Sequence, residues 1–179
     1  MTGGLKYVHE ELAWFNSLPH RHKIIIAGNH DWAFQHFLSE GHENLAEDIC
    51  QPAYYLRDNG VEIEGLKFWG SPWQPWFCDW AFNLRRGPEI RAKWDLIPEG
   101  VDVLVTHGPP MGILDRVGNS HVGCADLAVA VARLAPKIHV FGHIHSGYGQ
   151  ESNRRTRFYN ASVVNEAYRL ANEPWSVEL

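Results

Sequence analysis

The 179-residue chain reads as an α/β protein, a layered sandwich of strands and helices in a single domain over residues 1–179. Three observations carry that reading. Short β-branched runs (Lys23 to Ile26, Val101 to Val105, Ile138 to Phe141) alternate with stretches of helical periodicity. Each run leads straight into a polar loop: Gly28-Asn29-His30-Asp31, Thr106-His107-Gly108-Pro109, and Gly142-His143-Ile144-His145. The middle and the end of the chain are rich in short strand patterns. Three apolar strands of one buried parallel sheet would deliver those loops to a common edge, where open α/β sheets keep their chemistry.

The elements follow in order. Leu5, Val8, Leu12 and Phe15 recur at helical spacing, so a helix runs from about Leu5 to Leu18 and stops at Pro19. His20-Arg21-His22 leads into the first strand. Asp31 to Phe37 and Glu43 to Cys50 read as short helices, the second ending before Pro52. Asn59-Gly60 is the strongest turn signal, and Val61, Ile63, Leu66 and Phe68 alternate around Gly65 as a meander of short strands. Gly70 to Phe82 holds too much proline for a helix. Pro88 suits the first turn of a helix reaching about Leu96, and Leu127, Ala130, Val131 and Leu134 form another stripe before Pro136. Late strands at Phe158-Tyr159 and Trp175 to Val177 close the sheet.

Composition narrows the classes. A chain 45% hydrophobic and 21% charged is an ordinary globular sequence. A net charge of -5 argues against binding a nucleic-acid duplex, because no basic excess exists to neutralise its backbone. Cys50, Cys78 and Cys124 lack metal or disulfide spacing and point to a reducing cytoplasm. No apolar run approaches the ~18 residues of a membrane span, and Met1-Thr2-Gly3-Gly4 lacks the layout of a signal peptide.

Among 11 histidines, those in the three loops stand out. Asn29, His107, His143 and His145 form an oxygen- and nitrogen-rich set suited to a divalent metal. Each has a plainer reading: Gly28-Asn29 alone is a turn, and His143 and His145 at i and i+2 face opposite sides of a strand unless a loop redirects them. His9, His20, His22, His36, His42 and His139 read as surface or packing residues.

In order and spacing, the three motifs resemble the calcineurin-like metallophosphoesterases. That resemblance implies a four-layer αββα sandwich and a divalent-metal-dependent phosphoesterase. By motif it implies Asn29, His107 and His143 as ligands of one metal and His145 as a ligand of a second. His30 resembles the histidine that stabilises or protonates the leaving oxygen, with Asp31 orienting its ring or capping the next helix. The family's Asp-x-His and bridging Gly-Asp motifs have no counterpart, the second falling just before Thr2-Gly3-Gly4. The expectation is therefore a sandwich lacking its first strands, weakly active or inactive alone. It would hold one metal or none where the complete fold holds two, with an exposed sheet edge that favours homo-oligomers.

Gly28-Asn29-His30-Asp31-Trp32, the stretch from Gly70 to Gly87, and His121-Val122-Gly123-Cys124 most resemble a brain-expressed, cyclic-nucleotide-phosphodiesterase-like branch. This implies a small phosphodiester or nucleotide substrate and Mn²⁺ as activator, with Fe, Zn or Mg as alternatives. Trp73, Trp76, Phe77, Trp80 and Phe82 either stack a base or, the favoured reading, fill the core. Of Arg85 and Arg86 at most one steers phosphate, and Arg85 is the candidate. Asn119 to Cys124 reads as a loop opening a helix with free N–H groups, which makes His121 a substrate-binding candidate. Cys124 reads as a helix-start packing residue. The rival readings are a non-catalytic nucleotide- or metal-binding scaffold and a phosphomonoesterase.

Overall fold

The computed structural model describes residues 4–179, so the readings placed on Met1-Thr2-Gly3 lie outside the described residues. Helix α1 (Leu5–Ser17) buries Val8 and Leu12, one turn apart, and ends where Leu18 leads into Pro19. Strand β1 (Ile24–Ile25) passes through α2 (Trp32–Ser39) and α3 (Glu43–Cys50) to β2 (Tyr54–Tyr55), with which it pairs in parallel. Phe34 and Phe37 of α2, Cys50 of α3 and Tyr55 of β2 join Val8 and Leu12 in one apolar cluster. The Phe34 ring stacks on Tyr55 at 4.9 Å.

β3 (Asn59–Ile63) and β4 (Leu66–Ser71) form an antiparallel hairpin. Its turn lies at Glu64 and Gly65, with φ of 52° and 81°, rather than at Asn59-Gly60. Two successive left-handed residues match the twist of a two-residue hairpin. Asn59 and Gly60 sit inside β3 opposite Gly70 and Trp69. The Asn59 side chain accepts the Arg57 N–H at 2.7 Å, so its turn-forming chemistry acts at the entrance to the strand.

β5 (Gln74–Pro75) pairs with β6 (Asn83–Leu84), and α4 (Pro88–Trp94) precedes β7 (Val103–Thr106). The hairpin of β8 (Arg116–Val117) and β9 (Ser120–His121) then leads to α5 (Ala125–Leu134) and β10 (Ile138–Phe141). After a 3-10 turn (His145–Gly147) come β11 (Gly149–Ser152) and β12 (Arg157–Asn160). The large sheet has the order β11-β12-β10-β7-β4-β3. Its four inner strands are parallel and both edge strands antiparallel.

One face of this sheet packs Leu104, Phe141 and Phe158 against Ile90 and Trp94 of α4 and Leu127 and Val131 of α5. The other carries Val103, Ile138 and Tyr159, with Trp175 and Val177 against them. Trp175 to Val177 is not the closing strand expected. Trp175 instead stacks on Tyr148 at 5.2 Å and donates Nε1–H to Asn160 O, so it covers the face by its side chain.

The three motif loops also arise from two sheets rather than one. β7 and β10 are neighbours in the large sheet, whereas β1 lies in the small one. The layers meet at Gly70, where a Cβ would fall 2.4 Å from Leu56 Cβ and 2.8 Å from Ile26 Cγ2. Only glycine permits that approach. The result is a mixed α/β, αββα sandwich with five α-helices among the described residues.

Candidate metal centre

Gly28 closes the loop after β1. A Cβ there would stand 2.6 Å from two atoms of the His107 ring, so the imidazole rests directly on the glycine backbone. His107 Nε2 then lies 3.0 Å from Asn29 Oδ1 and 3.1 Å from His143 Nδ1. The Asn29 N–H also points at this nitrogen, 3.3 Å away. His143 reaches the group because its φ is 68°, a left-handed turn that breaks strand alternation and lets His143 and His145 line the same cleft.

This donor set fits a divalent cation. Nε2 of a neutral ring carries at most one proton, so one proton cannot satisfy both the Asn29 and the His143 contacts. Donor atoms 3.0 and 3.1 Å apart are close enough that one cation could be shared among them. Burial holds His107 far below the usual histidine pKa and His143 down at about 4, with like charge from neighbouring histidines adding to both effects. Both rings therefore present lone pairs at neutral pH, as metal ligands must. Among the described residues no three His, Cys, Asp or Glu side chains stand placed to hold a metal ion by themselves; the donor set is two imidazoles and a buried amide.

His145 and His30 line the same cleft outside that contact triple. The His145 ring meets Tyr168 edge-on at 5.1 Å, and half-exposed His30 lies 5.0 Å from the Trp80 ring. Burial, with the nearby His145 charge, lowers the His30 pKa. Asp31 is placed otherwise than expected. Its carboxylate neither holds the His30 ring nor caps α2, but accepts the Gly28 N–H at 2.6 Å and so closes the loop. Burial raises its pKa to about 6.

The cleft holds about 830 Å³ and runs from these histidines to an aromatic rim. Core filling accounts for only part of the aromatic belt. Phe82 is fully buried beneath Trp73, but Trp76 and Phe77 are 56% and 58% exposed at the cleft. Arg85 is a second correction: it does not line the cleft, and its N–H is bound by Glu89. Arg86 lines it instead, donating to the carbonyls of Gly123 and Val122 at 2.7 and 2.9 Å.

His121 lines the cleft from β9, its Nδ1 2.5 Å from Oδ1 of Asp115. Asp115 is wholly buried and also accepts the N–H groups of Gly112 and Gly123. Although burial opposes ionisation, the bonds from His121, Gly112 and Gly123 hold the carboxyl below its usual pKa. The free N–H groups expected before α5 are thus occupied. Gly123 N–H serves Asp115, Cys124 N–H serves Pro109 O, and Leu127 N–H serves Cys124 Sγ. Cys124 is buried and starts the helix. Ser146 Oγ donates to Arg116 O at 2.7 Å, tying the β8–β9 hairpin to the turn that bears His145.

A buried chain of bonds fixes the His107 loop from behind. Thr106 Oγ1 donates to Gly108 O at 2.8 Å and lies 2.8 Å from His139 Nε2. Its single proton being engaged, His139 must donate Nε2–H, leaving buried Nδ1 without a partner. Burial drives the His139 pKa down to about 3. The unfolded chain therefore binds a proton that the folded protein refuses. Stability contributed by this group falls as pH drops from 6.5 toward about 3, at about 1.4 kcal/mol per pH unit. His139→Gln, which keeps the donor, should shrink the loss in urea-unfolding free energy between pH 7 and pH 5 by about 2 kcal/mol. Parallel stability curves for the two proteins would refute this.

Fold and site together define an αββα protein with a histidine-rich cleft where loops from its two sheets meet. A family model described as calcineurin-like phosphoesterase matches residues 3–147, and the chain belongs to that family of metal-dependent phosphoesterases. It is 43% identical over 188 residues to metallophosphoesterase domain-containing protein 1 of Homo sapiens, covering 93% of this chain and 57% of that protein. It is 40% identical over 193 residues to UPF0046 protein T07D4.2 of Caenorhabditis elegans, covering 93% of this chain and 49% of that protein. The chain thus spans about half the length of these relatives. The solved structure of TT1561 of Thermus thermophilus shares the fold at TM-score 0.52 and 15% identity, over 87% of this chain and 70% of that one. No helix among the described residues is long and apolar enough to cross a membrane.

Proposed function

We propose that this chain is a divalent-metal-dependent phosphodiesterase for small, cyclic-nucleotide-like diesters, with Mn²⁺ as the activating ion. The observation that carries this is the meeting of Asn29, His107 and His143 at the head of a cleft walled by aromatic rings. Arg86 is the one Lys or Arg among the described residues lining it, and its guanidinium is bound to carbonyls. A monoester dianion would find little fixed positive charge there beyond the metal, whereas a diester carries a single charge and two ester arms that use apolar walls.

Asn29, His107 and His143 would hold the cation, and His145 extends the donor set toward the cleft. When bound, the ion supplies Lewis acidity toward phosphoryl oxygens and a nucleophile at neutral pH. His30 supplies a proton to the departing oxygen. Burial lowers its pKa, which makes the protonated ring a stronger acid toward that oxygen. His121, whose Nδ1–H is bound by Asp115, donates Nε2–H to a phosphoryl oxygen when the ring carries both protons. Three free thiols suit a reducing cytoplasm.

The test is hydrolysis of bis-p-nitrophenyl phosphate and of p-nitrophenyl phosphate, with and without Mn²⁺. Diester cleavage that needs Mn²⁺ is expected, with His30→Ala lowering kcat about a hundredfold at unchanged metal content. Mn²⁺ binding without turnover would instead make the chain a binding protein, and monoester preference would make it a phosphomonoesterase.

A further inference from the structure

We infer that Tyr168 is a specificity residue of the cleft, forming an aromatic wall for the ester arm that stays on phosphorus; this rests on the phosphodiesterase reading. The residue sits at the tip of a turn whose bonds are nearly all local. Asn165 Oδ1 accepts the N–H groups of Ala167 and Arg169 at 2.9 and 3.1 Å, and Tyr168 N–H donates to Asn165 O at 2.8 Å. A bridge between Val164 and Leu170 closes the turn, and Asn172 donates its side-chain N–H to Ser162 O.

Within that frame Tyr168 has a φ of 56°. A left-handed residue at a turn tip is where glycine costs least and where a bulky side chain is disfavoured. The backbone therefore gives no reason for tyrosine. Nor does the core, since Tyr168 is 67% exposed. What the side chain does have is a place on the cleft and an edge-on contact with the His145 ring. Strain of this kind, held by surrounding bonds, marks a side chain kept for what it meets.

The two outer histidines each carry an aromatic neighbour: Trp80 beside His30 and Tyr168 beside His145. A phosphodiester has two ester arms. With His30 serving the departing oxygen, Trp80 belongs to the leaving arm and Tyr168 to the retained one. The ligand class is then a diester whose retained arm is flat and aromatic, because a ring face or edge gains most from another ring.

The experiment compares wild type, Tyr168→Gly and Tyr168→Phe on two diesters with one leaving group, bis-p-nitrophenyl phosphate and methyl p-nitrophenyl phosphate. In Tyr168→Gly the melting temperature should hold or rise, since the turn relaxes, and Mn²⁺ content should stay constant. The ratio of kcat/KM for the aryl over the methyl diester should fall at least fivefold, through KM, and Tyr168→Phe should keep the wild-type ratio. An unchanged ratio, or a loss that tracks a lower melting temperature, overturns the assignment. If wild type cleaves neither diester, the phosphodiesterase reading fails separately. Calorimetric binding of diphenyl against dimethyl phosphate then decides Tyr168, with equal preference in wild type and Tyr168→Gly ruling it out.

Discussion

His107→Ala is expected to abolish Mn²⁺-dependent turnover and to weaken Mn²⁺ binding by more than about a hundredfold, since loss even of a group behind a ligand costs 10–100-fold. His107 is the one side chain in contact with both other donors, at 3.0 Å to Asn29 and 3.1 Å to His143. Without it an amide and one imidazole remain, too few to compete with water for a cation. The ring is also the surface against which Gly28 lies. Metal titration by calorimetry, beside thermal unfolding of the metal-free protein, separates loss of the site from loss of the fold. A variant that keeps its Mn²⁺ affinity would remove His107 from the ligand set.

Gly28→Ala should come close to the same loss of turnover while changing no polar atom. The new methyl group would fall 2.6 Å from two ring atoms of the half-buried His107 imidazole. With Asn29 and His143 both in contact with its Nε2, the ring must tilt toward the cleft or push β1 away, and either motion opens the spacing to Asn29. Overpacking of this sort costs about 1–3 kcal/mol of stability, which leaves the protein folded for the measurement. Wild-type kcat/KM in Gly28→Ala would mean that the ring is not seated on the glycine. The pair of variants thus probes one contact from both sides, once through chemistry and once through shape.

Much of this was legible in residue order. Helical stripes at Leu5, Val8 and Leu12, and again at Leu127, Ala130 and Val131, and the β-branched runs before each polar loop, follow from periodicities of burial that the chain must display. The meeting of three loops at one cleft was legible as well, because each Gly- and His-bearing loop directly follows an apolar strand run. What escaped was set by contacts between distant segments. Asn59-Gly60 has the chemistry of a hairpin turn, yet the turn formed where Glu64-Gly65 brings Ile63 and Leu66 into register. No local pattern distinguishes Arg86 from Arg85; the choice was made by the carbonyls of Val122 and Gly123, 36 and 37 positions away. Asp115 had no motif around it, and its burial beneath His121 exists only once the β8–β9 hairpin folds. Tyr168 was silent for the same reason, its significance residing in a dihedral angle and a neighbour.

Val105 and Val140 are paired partners on adjacent parallel strands, each two or three positions before a histidine of the centre. Strand separation in a sheet is nearly invariant, at about 4.8 Å, so the gap between those two imidazoles behaves as a fixed gauge. The amide comes from the opposite layer, whose height is governed by the glycine seam at Gly70. For a cation held between them, selectivity by size would be a question of how closely two sheets nest, and the dial for it would sit away from the donor side chains themselves.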